Sequence, residues 1–268
     1  MPLTVFAWFF ITFEVWVQVT GIQINYIKVP MAVKNDSKSA IVLDCDYSLR
    51  PDDTYLVVKW YLNDDLVYQW TPPQAPQSFG PLKNKVDLKY RASGDQNSMY
   101  RAMKIFNPTT EIAGEYKCFV STFTDEDFSM KNMIVFVPES AMEITQTSYD
   151  HSVNFTCAAT EVYPTPKLFM YKDFRDDHHN GKNRLQTVHW DISKTNGGRY
   201  NVYIVATERT ANLKPGTLIG CELRIPGTGY VKIKSHLFYP VAFGNGGYPG
   251  LRHQILLSLF SFVSFFVL

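Results

Sequence analysis

The sequence predicts an all-β protein built as two tandem β-sandwiches, and three observations predict it. Four cysteines, Cys45, Cys118, Cys157 and Cys221, fall into intervals of 73 and 64 residues. Pairing them in chain order gives two units, each with one bridge across its middle. Ahead of the cysteines, apolar residues alternate with polar ones. Ile41, Leu43 and Cys45 share one face, as do Val153, Phe155 and Cys157, in the period-two pattern of a half-buried strand. Gly and Pro are scattered, and no helical periodicity of useful length, charge run or low-complexity tract interrupts the pattern.

At the N-terminus, Leu3 to Val19 is apolar and aromatic, broken by Glu14, and Val19-Thr20-Gly21 offers small residues where a signal peptidase reads. Residues 1–21 are therefore read as a removable signal, although the terminal amine is the sole positive charge ahead of the segment. At the far end, Ile255 to Leu268 reads ILLSLFSFVSFFVL. Its 14 residues carry no charge and fall short of the about 20 that a spanning helix needs. No Lys or Arg follows to mark a cytoplasmic flank. With Gly244-Asn245-Gly246-Gly247 upstream and a polar spacer from Tyr248 to Gln254, this forms the pattern of a glycosylphosphatidylinositol anchor signal. Residues 242–268 are assigned to the attachment region and removed tail, with lipid expected on Asn245 or a neighbouring glycine. The alternative is a buried or disordered tail. The anchor reading puts the mature chain on the outer face of the plasma membrane.

Between these ends roughly 220 residues remain, enough for two ordinary domains. They are read as 22–138 and 139–241, with a short, stiff junction near Pro138-Glu139. The formal charge of +1 creates no field to collect nucleic acid or an anionic membrane. An even cysteine count suits an oxidising compartment. Asn35-Asp36-Ser37 and Asn154-Phe155-Thr156 are glycosylation sequons, so Asn35 and Asn154 are candidate glycan sites, whereas proline blocks Asn107-Pro108-Thr109.

In the first unit Trp60 follows Cys45 by 15 residues, with Leu56 and Val58 on its face by period two. Tyr116 stands two residues before Cys118, after Met103, Ile105 and Gly114. A sandwich in which a buried Trp packs on an inter-sheet disulfide beside a tyrosine corner needs these types at these spacings. The unit resembles an immunoglobulin variable-type domain. One departure is Ile112, where an acidic residue is expected six before the second cysteine; the salt bridge that closes the bottom of such domains is expected to be absent.

The second unit is a looser match. Cys157-Ala-Ala-Thr-Glu-Val-Tyr163-Pro164-Thr-Pro166 resembles the start of an immunoglobulin constant-type domain. Tyr171 stands where the tryptophan is expected, about fourteen residues after the cysteine, and Ile219 replaces the corner tyrosine. Phe169, Tyr171 and Ile219 are expected to fill the core.

A narrower resemblance lies within the first unit. Val58-Lys59-Trp60-Tyr61, then Tyr68-Gln69-Trp70, a stretch with Pro72, Pro73, Pro76 and Phe79, and Val86-Asp87-Leu88 are similar to the beaten-path family of arthropod nervous systems. That resemblance covers about forty residues. It implies a neuronal recognition protein that binds sidestep-type immunoglobulin receptors.

Period-two reading turns Lys59 and Tyr61 outward when Trp60 is inward, and likewise Lys117 and Phe119. Tyr68 and Trp70 belong to the next strand edge, while Ile134 and Phe136 face outward on the last strand. A face with Tyr61, Phe119 and one of Tyr68 or Trp70 would be rich in hot-spot residue types and is the predicted partner-binding surface. The alternative is that neighbouring strands or the Pro72–Phe79 stretch cover these rings. That stretch lacks ladder donors and reads as a stiff edge or loop.

Catalysis finds little support. Asp173, Asp176, Asp177, His178 and His179, with His189 farther on, form a cluster weaker than a spaced Cys/His zinc site and read as a solvated hairpin loop. No nucleophile motif or phosphate-cradling glycine loop exists. The sequence therefore predicts no enzyme, cofactor or metal site. It predicts a lipid-anchored recognition or adhesion protein whose partner is another immunoglobulin-type surface protein. The alternative is a secreted ligand or immune-type binding protein without an anchor.

Overall fold

The computed structural model describes residues 21–173 and 183–240. The hydrophobic run expected to be a removable signal, the region expected to receive an anchor at Asn245, and Asp176, Asp177, His178 and His179 lie outside the described residues.

Two β-sandwiches follow one another along the chain. In the first, β1 (Gln23–Lys28), β3 (Ile41–Ser48) and β7 (Met103–Ile105) form one sheet. The facing sheet runs β2 (Ala32–Lys34), β9 (Glu126–Phe136), β8 (Gly114–Ser121), β4 (Val57–Leu62), β5 (Asp65–Trp70) and β6 (Gln77–Ser78). The chain changes sheets between β1 and β2, and β2 pairs parallel to β9. Two strands beyond β4 on the larger sheet are the variable-type addition to the immunoglobulin plan.

The Cys45–Cys118 bridge joins the sheets, and Trp60, wholly buried, lies opposite Cys118 in register. Tyr116 Oη donates to the Ile112 carbonyl at 2.8 Å, closing the tyrosine corner. Ile112 is buried, as its side chain requires. An ion pair nonetheless occupies this turn, contrary to expectation: Lys85 Nζ lies 3.7 Å from Glu111, one residue earlier, and donates to Thr109 Oγ1 at 2.8 Å. Glu111 is mostly exposed, so the pair contributes little.

Between β6 and β7 the chain is largely irregular, and polar tips of core aromatics hold it. Trp60 Nε1 donates to Arg101 O at 3.0 Å, Tyr68 Oη to Tyr100 O at 2.8 Å, and Tyr47 Oη to Asn97 O at 2.6 Å. The Arg101 guanidinium pairs with Asp44 at 3.0 Å and with Asp46. Three loop carbonyls thereby gain partners from core side chains, which ties the segment to the sandwich.

The second sandwich stacks β10 (Ala141–Ser148), β11 (Ser152–Val162), β15 (Tyr200–Arg209) and β14 (Thr187–Lys194) on β13 (Asn183–Arg184), β12 (Lys167–Asp173), β16 (Leu218–Arg224) and β17 (Val231–Leu237). Apart from the two-residue edge β13, this is the constant-type arrangement. Cys157–Cys221 joins the sheets.

Register corrects the core assignment here. Met170, not Tyr171, lies opposite Cys221, and Leu168 and Met170 are the inward residues of β12. Phe169 is half-exposed with the Arg184 guanidinium 4.6 Å above its ring. Tyr171 is buried, but against the opposite surface of the sheet. Its ring lies over Gly220, where a Cβ would run into it. Ile219 is in the core as expected, and Phe155 packs edge-on against Phe238 at 6.1 Å.

Where the sandwiches meet, Val137 and Tyr163 exchange two backbone hydrogen bonds, 2.8 and 3.0 Å. Phe136 packs against Tyr230 with ring centroids 5.5 Å apart, and a Cβ on Gly227 would lie 2.7 Å from Ile134. Ile134 and Phe136 therefore face the second sandwich. Tyr230 Oη donates to Glu139 at 3.0 Å, and burial together with this carboxylate pushes its phenol up to about 12.

Candidate functional site

The outer surface of β5–β4–β8–β9 carries the largest grouping of predicted site residues. Cross-strand pairs place Gln69, Lys59, Phe119 and Phe128 in one row, and Leu66, Tyr61, Lys117 and Met130 in the next. Neighbours in such rows are close enough to act as one surface. Tyr61 and Phe119 are half-exposed, while Phe128 and Met130 are 54% and 46% exposed. Lys117 Nζ sits 5.0 Å over the Tyr61 ring and 3.5 Å from the exposed Asp64. Among the described residues Lys59 forms no ion pair.

Tyr68 and Trp70 do not belong to this face. They are 1% and 2% exposed and sit in the first core. A β-bulge explains this. Trp60 pairs with Tyr68 but Tyr61 pairs with Leu66, so Val67 is an extra residue, and both Val67 and Tyr68 turn inward. Trp70 is covered edge-on by Tyr100 at 5.7 Å, and Pro72 and Pro73 line the cavity beside it.

A second aromatic feature lies at the tip of the same sandwich. Tyr55, before β4, and Phe123, in the β8–β9 turn, are each 78% exposed with centroids 6.0 Å apart. Tyr55 has φ of +59°, a left-handed conformation that is rare for a bulky residue and clusters at functional sites. The two loops are stapled together: Phe123 N donates to Thr54 O at 2.9 Å, and Arg50 Nη2 bridges Asp53 at 3.1 Å and Thr124 at 2.7 Å. Burial pushes the Asp53 carboxyl up, but hydrogen bonds from the Arg50 amide and guanidinium outweigh it and hold the group below its ordinary value. No pattern in the sequence marked Tyr55 or Phe123. Phe128 and Met130 could have been found from strand alternation counted back from Ile134.

The two sequon asparagines are half-exposed. Asn35 Nδ2 donates to Asp36 at 2.6 Å and its Oδ1 accepts Thr110 N at 3.2 Å. Asn154 Oδ1 accepts the Thr207 hydroxyl at 2.8 Å on the outer surface of β11. His189, on β14, lies with Nε2 3.0 Å from Tyr203 Oη. No helix of the described residues is long and apolar enough to cross a membrane.

Comparison with known proteins agrees with this architecture. Over 138 residues the chain is 24% identical to the mouse cell surface A33 antigen, a match that takes in 48% of this chain and 42% of that protein. The chain therefore spans less than half the length of that relative. Bovine butyrophilin superposes with a TM-score of 0.60 at 15% identity, over 79% of this chain and 96% of that one. The extracellular portion of mouse CD200RLa gives 0.48 at 14% identity, over 77% and 98%. No family model matches the chain. Its fold is immunoglobulin-like, and its sequence is similar to that of a cell surface antigen.

Proposed function

We propose that this chain is a lipid-anchored cell-surface recognition or adhesion protein that binds another immunoglobulin-type surface protein through the outer sheet of its first sandwich. The observation that carries the reading is the contiguous row of Phe119 and Phe128 beside Tyr61 and Met130, exposed on a sheet rather than scattered. Aromatic and Met side chains grouped on one sheet surface, here interleaved with Lys59 and Lys117, are of the types enriched at interfaces. The aromatic pair at the tip, Tyr55 and Phe123, extends the same end of the molecule. Similarity to a cell-surface antigen supports a recognition role outside the cell.

The finer parts of the reading rest on sequence. Residues 1–21 are removed as a signal, and lipid replaces the tail at Asn245 or a neighbouring glycine. Asn35 and Asn154 carry glycans, and the two domains divide near Pro138-Glu139. The beaten-path resemblance of residues 58–88 points to neuronal guidance. Phospholipase treatment of intact cells tests the anchor: release of the protein supports it, and retention removes it. Protein found only in the medium favours the secreted alternative. A screen of the intact ectodomain against cell-surface ectodomains tests the face. Phe119→Ala should weaken the captured partner by about 1–3 kcal/mol; undiminished binding by well-folded Phe119→Ala and Phe128→Ala proteins would move the site elsewhere.

A further inference from the structure

Carboxylates at the start of β9 and just ahead of it hold the start of β1 and the residue that precedes it. Ile22 N donates to Asp125 Oδ2 at 3.0 Å, and Ile24 N to Asp127 Oδ2 at 2.7 Å. Two acids spaced by two residues thus take two amides spaced by two residues. The other oxygen of each carboxylate accepts the next amide of its own chain, Glu126 N at 2.9 Å and Phe128 N at 2.8 Å. Both acids are therefore held in orientation. Ile22 is itself a core residue, 7% exposed. One residue upstream the room ends, because a Cβ on Gly21 would run into the Asp125 carboxylate.

The same bond is singled out by sequence. Val19 and Gly21 occupy the third and first positions before Ile22, the two places where a signal peptidase requires small residues. We propose that the chain is cut between Gly21 and Ile22, and that the α-ammonium created at Ile22 forms a salt bridge with Asp125 that locks the entry to β1 onto the β8–β9 turn. The proposal rests on the reading of residues 1–21 as a removable signal.

The chemistry is a hydrolysis. Water adds across the Gly21–Ile22 peptide bond: its hydroxyl goes to the Gly21 carbonyl carbon and its proton to the Ile22 nitrogen. The new carboxylic acid then releases a proton, and the amine takes one up. An α-amine has an ordinary pKa of about 7.7–8.0, so Ile22 carries its charge at neutral pH. A neutral amide-to-carboxylate bond thereby becomes an ammonium–carboxylate pair, in which both partners are charged. Removal of the leader strengthens a contact that the fold already aims.

The test uses full-length protein processed by cells, with N-terminal mass mapping and thermal unfolding. Ile22 is expected as the first residue. Asp125→Asn, which retains an acceptor oxygen, should lower the Tm by about 4 °C or more. Inserting Ser-Gly between Gly21 and Ile22, with mass mapping to select protein cut after Gly21 and not after the inserted glycine, keeps a glycine ahead of Ile22 but turns the ammonium back into an amide. In that background the loss caused by Asp125→Asn should fall by more than half. The insertion alone should also lower the Tm, which keeps the test open if Asp125→Asn is not exported. A mature end other than Ile22, equal losses in the two backgrounds, or an insertion without effect would overturn the salt bridge while leaving the signal reading intact. Mature protein that retains Leu3 to Val19 would instead overturn the signal reading.

Discussion

The two sandwiches solve one problem with different side chains. In the first, the residue facing the disulfide strand is Trp60, and its indole N–H reaches the Arg101 carbonyl. In the second, the corresponding residue is Met170, which has no polar tip. The first closes its corner with the Tyr116 hydroxyl on Ile112 O, whereas the second has Ile219 two residues before its cysteine. Aromatic volume returns in the second core through Phe155 and Phe238, from outside the usual positions. An aromatic core with polar tips can hold a long irregular segment against the sandwich, and the chain between β6 and β7 is such a segment. A purely apolar core fills space but orients no loop.

Removing the central side chain should break this contrast most strongly. Trp60→Ala is expected to cost about 3–5 kcal/mol, because it opens a large cavity. It also frees the Arg101 carbonyl, so hydrogen exchange should rise across residues 95–102. Met170→Ala should cost about 2–5 kcal/mol with no such local signature. Denaturant unfolding with exchange mapped by peptide would measure both. Equal local exchange in the two variants would mean that the polar tip of Trp60 does not hold the loop.

Next in size is the corner. Tyr116→Phe should cost about 1–3 kcal/mol, since it leaves the Ile112 carbonyl without its partner. The same phenols predict an alkaline weakness. Burial raises the pKa of Tyr47, Tyr68 and Tyr116 above their ordinary value of 10.0. Below pH 10 they are neutral in both folded and unfolded chains, and their contribution is intact. As pH rises beyond 10 the unfolded chain loses these protons first, so stability falls. The second sandwich carries one such group, Tyr230 at its junction, among the described residues. Near-UV circular dichroism with exchange mapping should therefore show the first sandwich opening at lower pH than the second; the reverse order would contradict the assignment.

A comparable cost is expected from one methyl group in the second sandwich. Gly220→Ala places a Cβ against the Tyr171 ring and should destabilise by about 1–3 kcal/mol through overpacking. If Tyr171→Ala is introduced as well, most of that penalty should vanish. Thermal unfolding of the two single variants and the double variant measures the coupling. Additive losses would mean that the ring does not depend on the missing side chain.

What sequence reasoning reached, and what it missed, follows from the range of the interactions. Period two was enough for Trp60, Tyr116, Tyr61 and Phe119, because each lies on a regular strand counted from a cysteine. Tyr68 and Trp70 escaped it because a bulged residue, Val67, shifts the phase within β5. Their burial also depends on Tyr100, some thirty residues away. Met170 escaped because a spacing of thirteen or fourteen residues does not define which neighbour faces the core; pairing with Cys221 does. The Asp125 and Asp127 anchors were invisible for the same reason, being local on one strand and meaningful only against another, 103 residues apart in sequence.

The smallest expected effect on stability is also the one that bears on function. Phe128 is 54% exposed on β9, beside Phe119 and outside both cores. Phe128→Ser should change unfolding free energy by no more than about 0.5 kcal/mol, as surface substitutions away from caps and cores do. If the outer sheet is the binding face, the same substitution should reduce retention of the captured partner, and by more than Trp190→Ser does. Trp190 is the better-exposed aromatic, at 63%, but it lies on β14 of the second sandwich. The pair separates a specific face from general stickiness, since both variants remove one exposed ring. Equal loss of binding would mean that exposed aromatic surface alone drives capture; loss confined to Trp190→Ser would place recognition on the second sandwich.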